Sequence, residues 1–277
     1  MREWLKTAVF YENIADGAKA AGRSTEDALA GLRSAGMDMI YISCDLWERD
    51  RDWLSRTLEA LDLPIEGMHV FCDFPGGTGE ARCRKMIDLA AEAGAGNLLI
   101  VPGMLSTGNT KRDLESMISG MRGAVEYGRS KGLPVLMEDY DGILAPYNCI
   151  AGLEYFFQNV PGLECAFDTG NFVMFREDET EAFDLFADRI RTLHLKDRSP
   201  KKRHEGDQPF FCADGKPVYA CATGSGTVQI GRILQKLRER NYQGNAVIEL
   251  YCCDARYVLQ DAEESLRWVK AQQSSEA

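Results

Sequence analysis

No stretch of the chain approaches the roughly 20 consecutive apolar residues that a membrane-crossing helix needs, so no span is expected. The first residues, MREWLKTAVFYEN, also lack the apolar core of a secretory signal, and the expected location is cytoplasmic. Positive charge is in deficit: 32 Lys and Arg stand against 43 Asp and Glu, a formal net charge of −11. A chain so acidic has no evident basic face with which to neutralise phosphates, which argues against a nucleic-acid partner and for a small molecule. The nine cysteines are odd in number, include no CxxC pair, and in several cases sit inside apolar runs, as Cys72 does in HVFCDF and Cys165 in LECAF. These are marks of buried free thiols in a reducing compartment. Histidine is scarce as well, with three in 277 residues.

What is present is a repeating pattern. With 45% hydrophobic and 27% charged residues the chain can bury a sizeable core. Eight short apolar runs mark strands: TAVFY (7–11), DMIYIS (38–43), IEGMHVF (65–71), NLLIVPG (97–103), PVLMEDY (134–140), ECAFDTG (164–170), RTLHLKD (191–197) and NAVIELY (245–251). Their centres recur roughly every 30 residues, the length of a strand–helix unit, until a longer gap before the last. Helical stripes lie between them: Cys83, Met86, Ile87, Ala90 and Gly94; Leu114, Met117, Ile118, Met121 and Val125; Ile230, Ile233, Leu234 and Leu237. Ser24 with Asp27 and Thr110 with Asp113 read as capping signals, and Gly132 as a helix stop.

Strict alternation of strand and helix means a parallel sheet. An open sheet built for a dinucleotide would carry GxGxxG at the first strand–helix turn, where YENIADG stands instead. The expected fold is therefore α/β, a single (β/α)8 TIM barrel occupying 1–277, close to the usual size of about 250 residues. No Pro/Gly/Ser-rich linker divides it. One insertion, from about Arg198 to Gly226, extends the loop between strand seven and its helix, on the face where such barrels keep their active sites.

Four consecutive strands end in a side chain able to bind metal: Glu138 in VLMEDY, Asp168 in CAFDTGN, His194 in TLHLKD and Glu249 in VIELY. Carboxylates flanked by apolar residues are costly to bury unpartnered. A shared divalent cation would neutralise most of their charge. Any one of the four could instead pair with a nearby Lys, Arg or backbone amide; matching placement on adjacent strands favours the metal. Three carboxylates and an imidazole, with no thiolate, suit Mn²⁺ first, with Mg²⁺, Co²⁺ and Zn²⁺ open.

MEDY, FDTGN, HLKD, GSG before a helix, and NAVIELY together resemble the xylose isomerase-like barrel superfamily, in its sugar phosphate isomerase/epimerase branch. The resemblance covers nearly the whole chain and is most specific from Leu133 to Tyr251. It implies one divalent metal on Glu138, Asp168, His194 and Glu249. It also implies an isomerase or epimerase in which Glu138 and Glu249 act as base and acid, a proton leaves next to a carbonyl, and the metal stabilises the enediolate. Two positions depart from the pattern: Asn171 stands where many relatives have histidine, and Asp139 where many have asparagine. Asparagine can bond a sugar hydroxyl but cannot shuttle a proton.

Further substrate contacts are expected from His69, which ends strand three, and from Lys196, which alternation places on the same side as His194. The segment 198–204 packs Arg198, Lys201, Lys202, Arg203 and His204 together beside the metal histidine, and Arg198 is the first choice for gripping an anionic substrate. A solvated surface loop is the plainer account of that segment. Gly224-Ser225-Gly226 is a weak phosphate signal, and Trp47 and Trp53 read as helix packing. The alternatives are an inosose-type dehydratase on the same metal site, a non-catalytic carbohydrate-binding barrel, and an endonuclease IV-like activity. Three histidines in an acidic chain weigh heavily against the last. The oligomeric state is left open by the sequence.

Overall fold

Parallel strands in a barrel are buried on both faces, which is why each reads as a nearly continuous apolar run. The computed structural model describes residues 4–106 and 108–274, so both ends of the expected 1–277 span lie outside the described residues. All eight runs become strands: β1 (Lys6–Phe10), β2 (Met39–Ser43), β3 (Ile65–Phe71), β4 (Leu98–Val101), β5 (Val135–Met137), β6 (Glu164–Asp168) and β7 (Ile190–Leu195). Three short strands of the insertion then precede the eighth: β8 (Asp197–Ser199), β9 (Pro209–Phe211), β10 (Pro217–Cys221) and β11 (Asn245–Ile248). Among the described residues, β1–β7 and β11 close a parallel barrel in which β11 pairs with both β1 and β7.

The helices are α1 (Tyr11–Ala20), α2 (Thr25–Ser34), α3 (Cys44–Ala60), α4 (Gly79–Glu92), α5 (Thr110–Ser130), α6 (Ile150–Asn159), α7 (Glu179–Phe186), α8 (Ile230–Glu239) and α9 (Val258–Ser274). Each buries apolar residues on one side; in α8 these are Ile230, Ile233, Leu234 and Leu237, all buried. Trp47 is buried in α3 as packing, and Trp53 packs partly buried against the same core. Ser24 caps α2 by accepting from Asp27 N at 3.0 Å. The expected box at α5 is absent, because Thr110 is already helical and Asn109 makes no side-chain cap. Asp113 accepts instead from the backbone and hydroxyl of Ser106, at 2.8 and 2.6 Å. Gly132, at φ +71°, ends the turn after α5.

Alternation along the strands sorts the interior. Ala8, Phe10, Tyr41, Leu99, Leu136, Ala166 and Val247 pack together inside the barrel, while Val9, Ile42, Met137, Phe167 and Ile248 join the core beneath the helices. Two residues beyond Leu136, Ala166, Thr192 and Val247, on the same inward rows, stand Glu138, Asp168, His194 and Glu249. The insertion forms its own antiparallel sheet in the order β8-β10-β9, with Gly215 at φ +78° in the hairpin turn.

Candidate metal centre and cavity

The imidazole of His194 is held edge-on between Phe10 and Tyr41, with ring centroids 5.1 and 5.0 Å away. Its Nδ1 lies 2.8 Å from Glu138 Oε2 and 3.7 Å from Glu249 Oε2. Asp168 is aimed by the motif that follows it: Gly170 N and Asn171 N donate to its Oδ1 at 2.7 and 3.0 Å, leaving Oδ2 turned to the site. Glycine is required there, because a Cβ on Gly170 would fall 2.5 Å from the Lys196 carbonyl oxygen. Thr169 completes the clamp, its hydroxyl donating to Lys196 O at 2.9 Å.

One ligand atom from each of Glu138, Asp168, His194 and Glu249 can be chosen so that all four lie within 4.8 Å of one another, and all four residues are buried. Asp168 Oδ2 and His194 Nε2 are buried without a hydrogen-bond partner among the described residues. The unmet Asp168 oxygen, in a set of three carboxylates and an imidazole whose Nδ1 faces Glu138 and Glu249, fits a divalent cation. The cluster can hold a metal ion; the donor set does not fix which.

Lys196 supplies the positive charge on the protein side. Its Nζ stands 2.6 Å from Glu249 Oε1, 3.7 Å from Asp141 Oδ2 and 3.0 Å from Asp168 Oδ2, the last an ion pair out of line for a hydrogen bond. Burial pulls the ammonium's proton affinity down, but Asp168, Glu249 and Asp141 outweigh it and hold the group firmly charged. Burial, joined by repulsion from Asp168, pushes the Glu138 carboxyl well up. Burial likewise pushes Glu249 up to about 8, against the opposing pull of Lys196. His194 is held low by burial, which favours the neutral, ligating imidazole.

Over the cluster opens a cavity of about 330 Å³, lined by Phe10, His69, Val70, Phe71, Leu99, Val101, Glu138, Tyr140, Asp141, Lys196, Phe210, Glu249 and Tyr251. A family model described as the xylose isomerase-like TIM barrel matches residues 29–272. The chain belongs to this family. Among solved structures it superposes on the probable 3-DHS dehydratase AsbF of Bacillus anthracis (TM-score 0.74, 15% identity, 96% of this chain and 99% of that one). It also superposes on D-allulose 3-epimerase from Methylomonas sp. (TM-score 0.74, 16% identity, 98% and 99%). At such identities the likeness is one of fold. In sequence it is 31% identical over 85 residues to inosose dehydratase of Lacticaseibacillus casei, a match spanning 30% of this chain and 28% of that enzyme.

Within this xylose isomerase-like frame the other expected residues divide. His69 lines the cavity, with Nε2 3.6 Å from Glu12 Oε1 and its ring stacked on Tyr41. Lys196 lines it too. Asn171 does not: its Oδ1 accepts from Lys196 Nζ at 2.8 Å and its Nδ2 donates to Asp139 O at 2.7 Å, so its amide steadies the lysine. Arg198 is fully buried off the cavity wall, bonded to Asp141 at 3.3 Å and stacked under Phe210 at 4.6 Å. The rest of the basic segment turns away, with Arg203 on Glu264 and Asp261, and His204 on Asp261 and Tyr257. Lys201 and Lys202 are exposed. Nor is Gly224-Ser225-Gly226 open to phosphate. The Asp197 carboxylate already accepts from Gly224 N and Gly226 N at 2.8 and 2.9 Å, and from Val228 N at 3.2 Å.

Sequence reasoning missed Phe10 and Tyr251, which the inward rows of β1 and β11 would have yielded. It also missed Tyr140, Asp141 and Phe210, which loops bring to the cavity and no periodicity marks. Asp139 is buried with neither oxygen hydrogen-bonded, and burial beside Asp168 and Glu138 pushes its carboxyl well up.

Proposed function

We propose that this chain is a divalent-metal-dependent isomerase or epimerase of a sugar or sugar-derived ketone, working by proton transfer next to a carbonyl. The observation that carries this reading is the placement of two proton-avid glutamates on one small cavity. Glu138 extends from β5 and Glu249 from β11, with β6 and β7 between them, so they approach a bound substrate from different sides. One takes the proton from the carbon beside the carbonyl, and the other returns a proton to give the rearranged product. Lys196 orients a substrate oxygen between them, and His69 and Tyr140 offer polar contacts to hydroxyls. Phe10, Phe71, Phe210 and Tyr251 limit water at the reacting carbon. A divalent ion, Mn²⁺ in this proposal, would be held by Glu138, Asp168, His194 and Glu249 and would supply polarisation of the carbonyl.

A dehydratase reading has its own support in the partial sequence match to inosose dehydratase. It shares the first proton abstraction and differs afterwards, when a neighbouring hydroxyl leaves as water. The test is a screen of ketoses, inososes and keto-sugar acids with Mn²⁺ in D₂O, reading deuterium incorporation, stereochemistry and enone absorbance. Glu138→Gln and Glu249→Gln should each lower exchange by about 10²–10⁴-fold, with metal content measured alongside. Full exchange in either variant with metal bound removes that glutamate from the mechanism.

A further inference from the structure

We infer that the opposite end of the barrel, where the strands begin, carries a second ligand site, for a small zwitterion whose ammonium meets Glu66 and whose carboxylate meets Arg191. A cavity of about 310 Å³ opens there, lined by Glu66, Asn97, Arg191, Tyr242, Asn245 and their neighbours. Glu66 and Arg191 are the second residues of β3 and β7, Asn245 is the first of β11, and Asn97 directly precedes β4. A register shift builds the inner end. Ile40 and Tyr41 of β2 pair with Ile65 and Gly67 of β3, so Glu66 is left between them without a partner on β2. Such an irregularity re-aims a side chain. The Glu66 carboxylate meets side-chain amides from β11 and the foot of β4: Asn97 Nδ2 and Asn245 Nδ2 donate to its Oε1 at 3.2 and 3.5 Å. Two glycines make room, since a Cβ on Gly67 would collide with Asn97 and Tyr41, and one on Gly244 with the Tyr242 hydroxyl.

That carboxylate is short of partners. Glu66 is 2% exposed, and its Oε2 is buried with no hydrogen-bond partner among the described residues. The neighbouring Thr192 hydroxyl is directed at Asn245 O, 3.4 Å away. Burial pushes the Glu66 carboxyl up, as expected of a charge that lacks full compensation. Buried carboxylates persist when a cation pairs with them, yet the chain's own cations at this end do not. Lys6 and Arg191 are exposed and form no ion pair among the described residues. Tyr242 feels both charges of the cavity: burial and Glu66 raise the proton affinity of its hydroxyl, while Arg191 lowers it. An interior carboxylate and a rim guanidinium thus share one cavity without pairing. A simple cation would leave the guanidinium unmatched, and a simple anion would face Glu66; a ligand bearing both charges complements both. The volume, at the small end of the usual range of about 300–1,000 Å³ for ligand sites, suits a compact molecule.

The test measures binding of 4-aminobutyrate, n-butylammonium and butyrate by ligand-observed NMR in neutral buffer containing Mg²⁺. The three share one skeleton and carry both charges or either alone; glycine, β-alanine and 6-aminohexanoate vary the spacing between the charges. The best zwitterion of the series should bind at least about tenfold more tightly than either singly charged probe. Glu66→Gln and Arg191→Met should each weaken it at least about tenfold. Failure of every zwitterion to bind overturns the site. Equal binding of n-butylammonium overturns the part given to Arg191. Unchanged binding in Arg191→Met places the ligand elsewhere and overturns the assignment too. Arg191 is exposed, so its replacement leaves the fold intact and keeps the test decisive should Glu66→Gln misfold. Deuterium exchange on ketones plays no part here, so this inference and the isomerase reading stand or fall separately.

Discussion

Replacing Lys196 by methionine keeps the side chain's length and removes the charge that holds the carboxylate cluster together. The Lys196 side chain is 6% exposed and lies within 3.0 Å of two carboxylates that are themselves buried, Asp168 and Glu249, so solvent screens these pairs little. Removing one partner of a buried pair costs about 3–5 kcal/mol. At about 2–3 °C per kcal/mol for a chain of this size, Tm of the metal-stripped protein should fall by roughly 6–15 °C. The loss should depend on pH in a definite sense. Glu249 holds its proton up to about 8 in the folded chain, against about 4.3 in an unfolded one. Between those values the native state binds more protons, so stability declines as pH rises through the window. The methionine variant should lose more at pH 8 than at pH 6, where a proton on Glu249 already removes part of the need for the ammonium. Added Mn²⁺ offers a replacement cation and should close more than half of the gap. Scanning calorimetry of both proteins at the two pH values, with and without Mn²⁺, decides the matter. Equal Tm values for the stripped proteins, or a gap indifferent to Mn²⁺, would refute the account of Lys196 as the cluster's counter-charge.

Asp168→Asn and His194→Ala should each strip bound metal, read by elemental analysis after gel filtration; unchanged metal content in both removes those residues from the proposed ligand set. Metal affinity should itself follow pH, because a cation binding to the Glu249 carboxylate must expel the proton held up to about 8. Apparent affinity should climb about tenfold per unit for each proton expelled below that value and flatten above it; a titration series flat from pH 6 to 8 would contradict this.

The barrel was legible because both faces of its strands are dry, so TAVFY or NLLIVPG announces itself without a partner, and because stripes such as Ile230–Leu237 repeat at helical spacing. The four-residue cluster was legible for a related reason: Glu138, Asp168, His194 and Glu249 continue the inward rows of their strands, where a charged residue interrupts an apolar pattern. What escaped was set by contacts across loops. Local spacing put a capping box at Thr110, but Asp113 found Ser106. The run of cations at 198–204 looked like one device, yet acids on α9 claim Arg203 and His204 while Asp141 claims Arg198. The glycines at 224 and 226 did mark an anion-binding turn, and the anion is the chain's own Asp197. The hairpin of β9 and β10 was within reach, since Asp214-Gly215 between PFF and PVYAC is a turn signal.

That hairpin belongs to a sheet that shares no strand with the barrel, yet it delivers Phe210 to the cavity wall. Its footing is a small apolar patch of Met174, Cys212 and Val218. Lengthening or resequencing it would leave every barrel ladder and all four metal-capable side chains in place. The fold thus separates two kinds of inheritance: a cluster of metal-capable side chains locked into strand register, where change is costly, and a hairpin laid over the cavity wall, where change is cheap. Sequence drift in the hairpin can reshape the cavity mouth while the four side chains beneath keep their places.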